Sequence, residues 1–106
     1  MATSKSFKDL VQRRVAEDAD FADALLREAV DTLLSGDVTL GKSILRDYIK
    51  ATVGFEKLAD ATETPAKSLI RMFGPRGNPQ ARNLFAVISQ LQRHAGLTLR
   101  VTAKAH

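Results

Sequence analysis

The chain has 106 residues, with 16 Lys and Arg against 12 Asp and Glu for a net charge of +4, and it contains no cysteine. This length suits one domain that buries a core without metals or disulfides. The lack of cysteine excludes disulfide scaffolds, thiol catalysis and cysteine-based zinc sites, and it fits a reducing compartment. No apolar run approaches the roughly 20 residues that a membrane span needs. The start MATSKSFKDL also lacks the apolar core of a signal peptide, so we expect a cytoplasmic protein with no membrane contact.

Hydrophobic periodicity predicts three amphipathic helices in the first half of the chain. The first covers residues 7–16. The second begins near Asp20, which we expect to be its N-cap, and ends at Ser35-Gly36-Asp37. The third runs from about Gly41 to Thr52. The second helix has an apolar stripe that exceeds what one small core obviously requires, formed by Phe21, Leu25, Leu26, Val30 and Leu33.

Residues 54–73 predict two short helices joined by a tight turn, with the small Ala59 where the helices approach closely. Thr64 suits the N-cap of the second helix, and Pro65 suits its first position because its missing N–H needs no partner there. Glycine is common at the turn position of Glu63, where φ is positive, so the glutamate leaves the turn geometry open. At 100° per residue the second helix has a core face of Ala66, Leu69, Ile70 and Phe73, and an opposite face of Thr64, Lys67, Ser68 and Arg71.

Cations and hydroxyls are the groups that contact phosphates and base edges. A short helix with this division, held against a preceding helix, is typical of a helix-turn-helix protein. The charge distribution agrees, because residues 1–41 contain five Lys and Arg against eight Asp and Glu, whereas residues 42–106 contain eleven against four. The basic excess lies with the two short helices, as neutralisation of phosphates requires. A high isoelectric point alone would imply no partner.

The C-terminal third predicts a turn, a long helix and a strand. Gly74-Pro75-Arg76-Gly77 forms the turn, Asn78-Pro79 opens the helix, and Gly96 suits its C-cap. Beyond Gly96, apolar and polar residues alternate with the period of a strand. A single strand in an otherwise helical chain has no partner, so it either frays as a tail or pairs with the same strand of another copy. The residues expected at such a dimer interface are Leu97, Leu99 and Val101.

About half of the chain, from about Leu45 to Val101, resembles the Cro/repressor-like (Xre) helix-turn-helix proteins, and particularly the HigA-like antidote proteins of bacterial addiction modules. The resemblance rests on the stretches GFEKLADAT, TPAKSLIRMFGPRGNP and NLFAVISQLQRHAGL. It implies an antitoxin that represses its own operon and silences a small RelE-like ribonuclease toxin. A homodimer of such proteins places two recognition helices on a palindromic operator in double-stranded DNA.

The expected fold is all-α, a compact bundle of about five to six helices with a short C-terminal β-strand. Residues 1–37 form an N-terminal helical segment for core completion, dimer or partner contact, and residues 38–106 form the DNA-binding region of the same structural domain. We expect bases to be read by Lys67, Ser68 and Arg71, the DNA backbone to lie nearer Lys57 and Thr64, and phosphates to be reached by Arg76 and Asn78.

Catalysis has little support in the sequence. His94 and His106 are far apart, and the acidic residues of the first two helices are typical of caps and solvated faces. We expect no enzymatic activity, no cofactor and no metal. Three functions remain: an antitoxin with a toxin partner, a stand-alone Xre-like transcriptional regulator, and an adaptor that no longer binds DNA. The two cations and the serine on the exposed helix face argue against the adaptor, because protein-binding faces more often have apolar anchors.

Overall fold

The computed structural model describes residues 7–105, and within that range the chain forms six α-helices and no strand. The all-α prediction is confirmed, whereas the predicted C-terminal strand does not form within the chain. The helices are α1 Phe7–Glu17, α2 Ala19–Leu34, α3 Val38–Ala51, α4 Phe55–Thr62, α5 Ala66–Met72 and α6 Ala81–Ala95.

The junction between α1 and α2 is capped by Asp18, so the prediction that Asp20 caps α2 was wrong. One carboxylate oxygen of Asp18 accepts from the N–H groups of Asp20 at 3.0 Å and Phe21 at 3.2 Å. The hydrogen bond from Phe21 is the main interaction that holds the pKa of Asp18 below its usual value, and the Arg14 side chain lowers this pKa further. Because α1 continues to Glu17, Asp18 is the residue with extended backbone from which α2 starts.

Helix α3 begins three residues before the predicted start at Gly41. Asp37 caps it by accepting from the N–H of Leu40 at 3.1 Å. Gly41 lies inside the helix, where a Cβ atom would come within 2.6 Å of the Leu33 side chain. The glycine therefore marks the close approach of α2 and α3, and not a helix start.

A single core joins the N-terminal segment to the rest of the molecule. Leu26 of α2, Leu45 and Ile49 of α3, and Leu91 of α6 are all fully buried in it. All five residues of the stripe predicted on α2 contact this core: Leu26 is buried in it, and the other four are partly buried against it. Leu34, the residue after the stripe, is exposed. Within the described range, no helix is long and apolar enough to cross a membrane.

The end of α6 has the predicted C-cap. Gly96 adopts φ 72° and ψ 32°, the left-handed conformation that favours glycine. The segment from Leu97 to residue 105, here called the tail, has no regular secondary structure. Leu97 and Leu99 pack partly against the core of their own chain, whereas Val101, the third apolar residue of the alternation, is exposed. The ladder of a strand is missing because no second strand lies beside the tail among residues 7–105.

Candidate nucleic-acid interface

Helices α4 and α5 pack against each other, and Ala59 is buried where the sequence predicted a close approach. Leu58 and Ala59 are buried, and Phe55 is half-buried with its ring 6.2 Å from that of Phe73. The charged residues of α4 point to solvent. One side of α5 is therefore packed against the protein, and its opposite side is exposed to solvent.

The turn between the two helices has the positive φ that the position requires. Glu63 adopts φ 53° and ψ 38°, the one left-handed non-glycine residue in the described chain. The N–H of Glu63 donates to the carbonyl of Asp60 at 3.4 Å, and the N–H of Thr64 donates to that of Ala59 at 3.1 Å. These bonds close α4, so the glutamate adopts the geometry usually given to glycine.

The start of α5 differs from the prediction. The Thr64 hydroxyl donates backwards to the carbonyl of Thr62 at 3.2 Å and does not cap the helix. Pro65 is the N-cap residue and not the first helical one, with ψ 139° and a carbonyl that accepts from the N–H groups of Ser68 and Leu69. The helix starts one residue later because the extended backbone of Pro65 places helical geometry after it.

Three of the four residues predicted on the core face of α5 lie there. Leu69 and Phe73 are buried and Ala66 is half-buried, but Ile70 is 50% exposed and its assignment to the core was wrong. Ile70 is rotated 100° from Leu69 and lies at the edge of the buried arc, because α5 is covered on one side only. On the predicted polar face, Lys67, Ser68 and Arg71 are exposed, whereas Thr64 is half-buried.

The loop that follows α5 folds back on the end of that helix. A Cβ atom at Gly77 would overlap the carbonyl oxygens of Arg71 and Met72, so only glycine fits without movement of the backbone. Lys42, only 6% exposed on α3, extends its ammonium group to this loop. Its Nζ donates to the carbonyl of Gly74 at 3.1 Å and to that of Gly77 at 2.6 Å. The loop is thus held at both ends by one buried cation.

The loop and α5 together form a shallow depression of about 430 Å³. Helix α6 begins at Ala81 and not at Asn78-Pro79, so these two residues stay in the loop and line the depression. Four of the seven residues predicted to contact DNA meet there: Ser68, Arg71, Arg76 and Asn78.

The other three predicted contact residues lie outside this depression. Lys67 is exposed on the same helix, whereas Thr64 is half-buried in the turn. Lys57 lies in a separate depression between α4 and α6, beside Arg93 and His94. The structure therefore groups the residues of α5 and its loop, and it does not bring Lys57 to them.

Sequence reasoning missed three residues of this region. Gln80 and Asn83 line the depression from the start of α6, because that helix begins later than predicted. Lys42 was missed because it lies 32 residues from its nearest partner in the loop, and no local pattern reports such a contact. The one signal in the sequence was the helical spacing that places Lys42 on the same face as the core residues Leu45 and Ile49.

The residues predicted for a dimer interface divide between two environments. Leu97 and Leu99 are half-buried against their own chain, and the N–H of Leu99 donates to Oε1 of Gln92 at 2.6 Å. Val101 is 75% exposed, beside a groove of about 580 Å³ between α2, α6 and the tail. Phe85, 61% exposed, lies on the same groove.

Comparison with protein-family models, with curated proteins and with solved structures finds no match for this chain. Among the described residues, no group of three or more His, Asp or Glu side chains is placed to hold a metal ion. Function is therefore inferred from the geometry and the charge of the chain.

Proposed function

We propose that this chain is a sequence-specific DNA-binding repressor of the Xre type, with α5 as the recognition helix. The main support is the depression at the end of α5, where Ser68 and Arg71 lie beside Arg76 and Asn78. An arginine and a serine on one helix face provide donors for base edges, and an arginine and an asparagine in the adjacent loop provide donors for phosphates. Lys67 adds a second cation to the same exposed face.

The rigid attachment of this surface also supports the proposal. One face of α5 is fixed in the core by Leu69 and Phe73, and the loop is fixed by Lys42 and by the packing of Gly77. A recognition surface that is already ordered loses little conformational entropy on binding. We expect salt-sensitive, nanomolar-range binding to a palindrome in the promoter of its own gene.

The test is to compare Arg71→Ala with Arg13→Ala, which removes the same charge from the exposed surface of α1. Arg71→Ala should weaken specific binding by about 1–3 kcal/mol and leave folding intact. Arg13→Ala should bind the operator as wild type does. Electrophoretic mobility shifts with the promoter fragment and with a scrambled competitor measure both. Equal binding by the two variants would place the recognition surface elsewhere.

We also propose that the repressor is a homodimer that uses the tail and its groove. Beyond Leu99 the tail makes no hydrogen bond to the described residues, and Phe85 and Val101 expose apolar surface beside it. Truncation after Gly96 should shift the protein towards monomer in sedimentation. Because truncation also removes core contacts of Leu97 and Leu99, Phe85→Ser and Val101→Asp are the cleaner variants. If both variants remain fully dimeric, the interface lies on other helices.

We also propose that the protein is an antitoxin, which binds and neutralises a RelE-like toxin in the cytoplasm. The N-terminal segment has an acidic surface, with Asp20 exposed and Asp18 and Asp23 half-buried, which suits a basic RNA-cleaving protein. Co-expression with the product of the neighbouring gene tests this proposal. Rescue of growth and co-purification would support the antitoxin. A harmless neighbour that does not bind would favour the alternative, a stand-alone Xre-like regulator.

A further inference from the structure

A further pocket lies where α1, α2, α3 and α6 meet, and no residue of α5 lines it. Its volume is about 450 Å³. The walls contain small apolar side chains, and the ionisable groups that line it are Glu17, Asp23, Tyr48 and His94. In a protein whose net charge is +4, this pocket has two carboxylates and no Lys or Arg in its lining.

Three helices end at this pocket. Its lining includes Glu17 at the end of α1, Ala51 at the end of α3 and Ala95 at the end of α6. The last carbonyls of a helix lack partners within the helix and give its C-terminus a partial negative charge. The start of α2 also lies here, but its N–H groups at Asp20 and Phe21 already donate to the Asp18 carboxylate. Carbonyls at these helix ends also have partners, since that of Arg14 accepts from Asp18, that of Tyr48 from Thr52 and that of Gln92 from Leu97. The two carboxylates are therefore the main groups of the pocket that favour a cation, and the helix dipoles add to their field.

Tyr48 is a polar side chain on this pocket whose hydroxyl has no hydrogen-bond partner among residues 7–105. The side chain as a whole is 1% exposed and lines the pocket. Its hydroxyl oxygen is not among the fully enclosed atoms that lack a partner, so it takes its partner from the pocket, as water or as a ligand. The phenol oxygen can accept a hydrogen bond from an N–H donor.

We propose that this pocket binds the guanidinium or ammonium end of a ligand with an apolar stem. The carboxylate of Asp23 neutralises the cation, Glu17 adds to the field at the rim, and the Tyr48 hydroxyl accepts a hydrogen bond. The stem lies against the alanines of the wall, which offer apolar surface without filling the space. Two sources present this chemistry: a Lys or Arg side chain of a partner protein, and a free small cation. The site is independent of DNA binding by α5.

The chain contains its own probe for this site. Tyr48 is the single tyrosine and there is no tryptophan, so the intrinsic emission of the protein reports on the pocket. We would titrate the full chain with N-acetylarginine amide, and with N-acetylcitrulline amide as a neutral control of the same shape. The arginine compound should change the Tyr48 emission saturably, at constant ionic strength, and the citrulline compound should not. Equal responses to both, or no saturable response to arginine, would overturn the proposal.

Variants assign the response to the pocket. Asp23→Asn should weaken the binding of the arginine compound by about tenfold, the loss of about 1.4 kcal/mol of charge interaction. Asp31→Asn is the matched control, because it removes the same charge from α2 outside this pocket. Glu17→Gln, at an exposed position, should weaken binding less and serves if Asp23→Asn does not fold. An effect of Asp31→Asn as large as that of both pocket variants would overturn the proposal.

A second titration separates the two sources. Propylguanidine has the guanidinium group and three-carbon stem of arginine, the same single charge, and no backbone amides. Tighter binding of N-acetylarginine amide would identify a protein side chain as the occupant, and tighter binding of propylguanidine would identify a free small cation. Unchanged binding of the arginine compound by Arg71→Ala, the variant with weakened operator binding, would show that the pocket and the proposed repressor surface are separate.

Discussion

Two irregular segments of this chain, the loop 74–77 and the tail after Gly96, differ in where their polar backbone groups find partners. The loop receives two hydrogen bonds from buried Lys42 and closes on itself through the N–H of Gly77 and the carbonyl of Gly74 at 3.0 Å. The tail has two hydrogen bonds, both to Gln92, and beyond Leu99 none to the described residues. Backbone polar groups need partners or water. The fold therefore fixes the loop from within and leaves most of the tail to solvent or to a second molecule.

The largest expected effect comes from breaking the packing of the loop at Gly77. Gly77→Ala places a Cβ atom on the carbonyl oxygens at the end of α5, so the backbone has to move. We expect a loss of about 3 kcal/mol in the free energy of unfolding, measured by urea denaturation. Gly74→Ala is the matched control in the same loop, because its Cβ atom would lie 3.4 Å from the nearest oxygen. Equal stability of the two variants would contradict the close packing at Gly77.

The next prediction separates the contribution of the Lys42 ammonium group from that of the packing at Gly77. Lys42→Met keeps an unbranched apolar stem and removes both donors, which leaves the carbonyls of Gly74 and Gly77 without this partner. We expect a loss of about 2 kcal/mol, because hydrogen bonds from a charged donor contribute more than neutral ones. Lys50→Met on the same helix is exposed and should change stability by less than about 0.5 kcal/mol. If Lys42→Met is as stable as Lys50→Met, the loop is held by packing alone.

Local features of the fold could be predicted from the sequence, whereas the contacts of Lys42 and Gly77 could not. The core positions Leu69 and Phe73 follow from helical periodicity and the cap at Gly96 from the conformational freedom of glycine, and the structure confirms them. Ile70 was wrongly assigned to the core because helical spacing gives a direction but not the width of the covering surface. The bonds of Lys42 could not be predicted, since they join residues 32 and 35 positions apart.

The helix starts were the least predictable part of the fold. Asp20 was expected to cap α2, and Asp18 does so; Asn78-Pro79 was expected to open α6, and the helix starts at Ala81. Neighbouring residues of similar capping ability compete for these positions, and the end of the preceding element decides between them. For α6, Asn78 and Pro79 belong to the loop that Lys42 holds through Gly74 and Gly77, and the helix begins after them.

A smaller effect tests whether the turn before α5 is strained. Glu63 has a positive φ, which costs a residue with a side chain about 1 kcal/mol or more. Glu63→Gly should therefore raise the free energy of unfolding by about 1 kcal/mol. Asp60→Gly, three residues earlier and inside α4, should lower it by about 1 kcal/mol, because glycine is unfavourable within a helix. Urea denaturation of both variants checks the opposite signs; a loss at both positions would mean that the Glu63 side chain stabilises the turn.

The smallest effect concerns Tyr48, a group that is fixed inside the fold but has no partner for its hydroxyl. Burial raises the pKa of Tyr48 above its ordinary value of 10.0, and the Asp23 carboxylate raises it further. Above about pH 10 the unfolded chain loses this proton first while the folded chain keeps it, so stability falls as the pH rises through the folded pKa. Below the unfolded pKa this contribution is fully present.

Two variants isolate this titration from that of the lysines, which lose protons in the same range. Tyr48→Phe should show a shallower loss of stability between about pH 9 and pH 11 than wild type, since it lacks the proton in question. Asp23→Asn should lower the pKa of Tyr48, seen as tyrosinate absorbance that appears at lower pH, and Asp31→Asn should leave it unchanged. Because the chain has one tyrosine, the absorbance has a single source. If wild type and Asp23→Asn titrate identically, the Asp23 carboxylate does not act on the phenol. The proposed cation site between these two groups would then lose support.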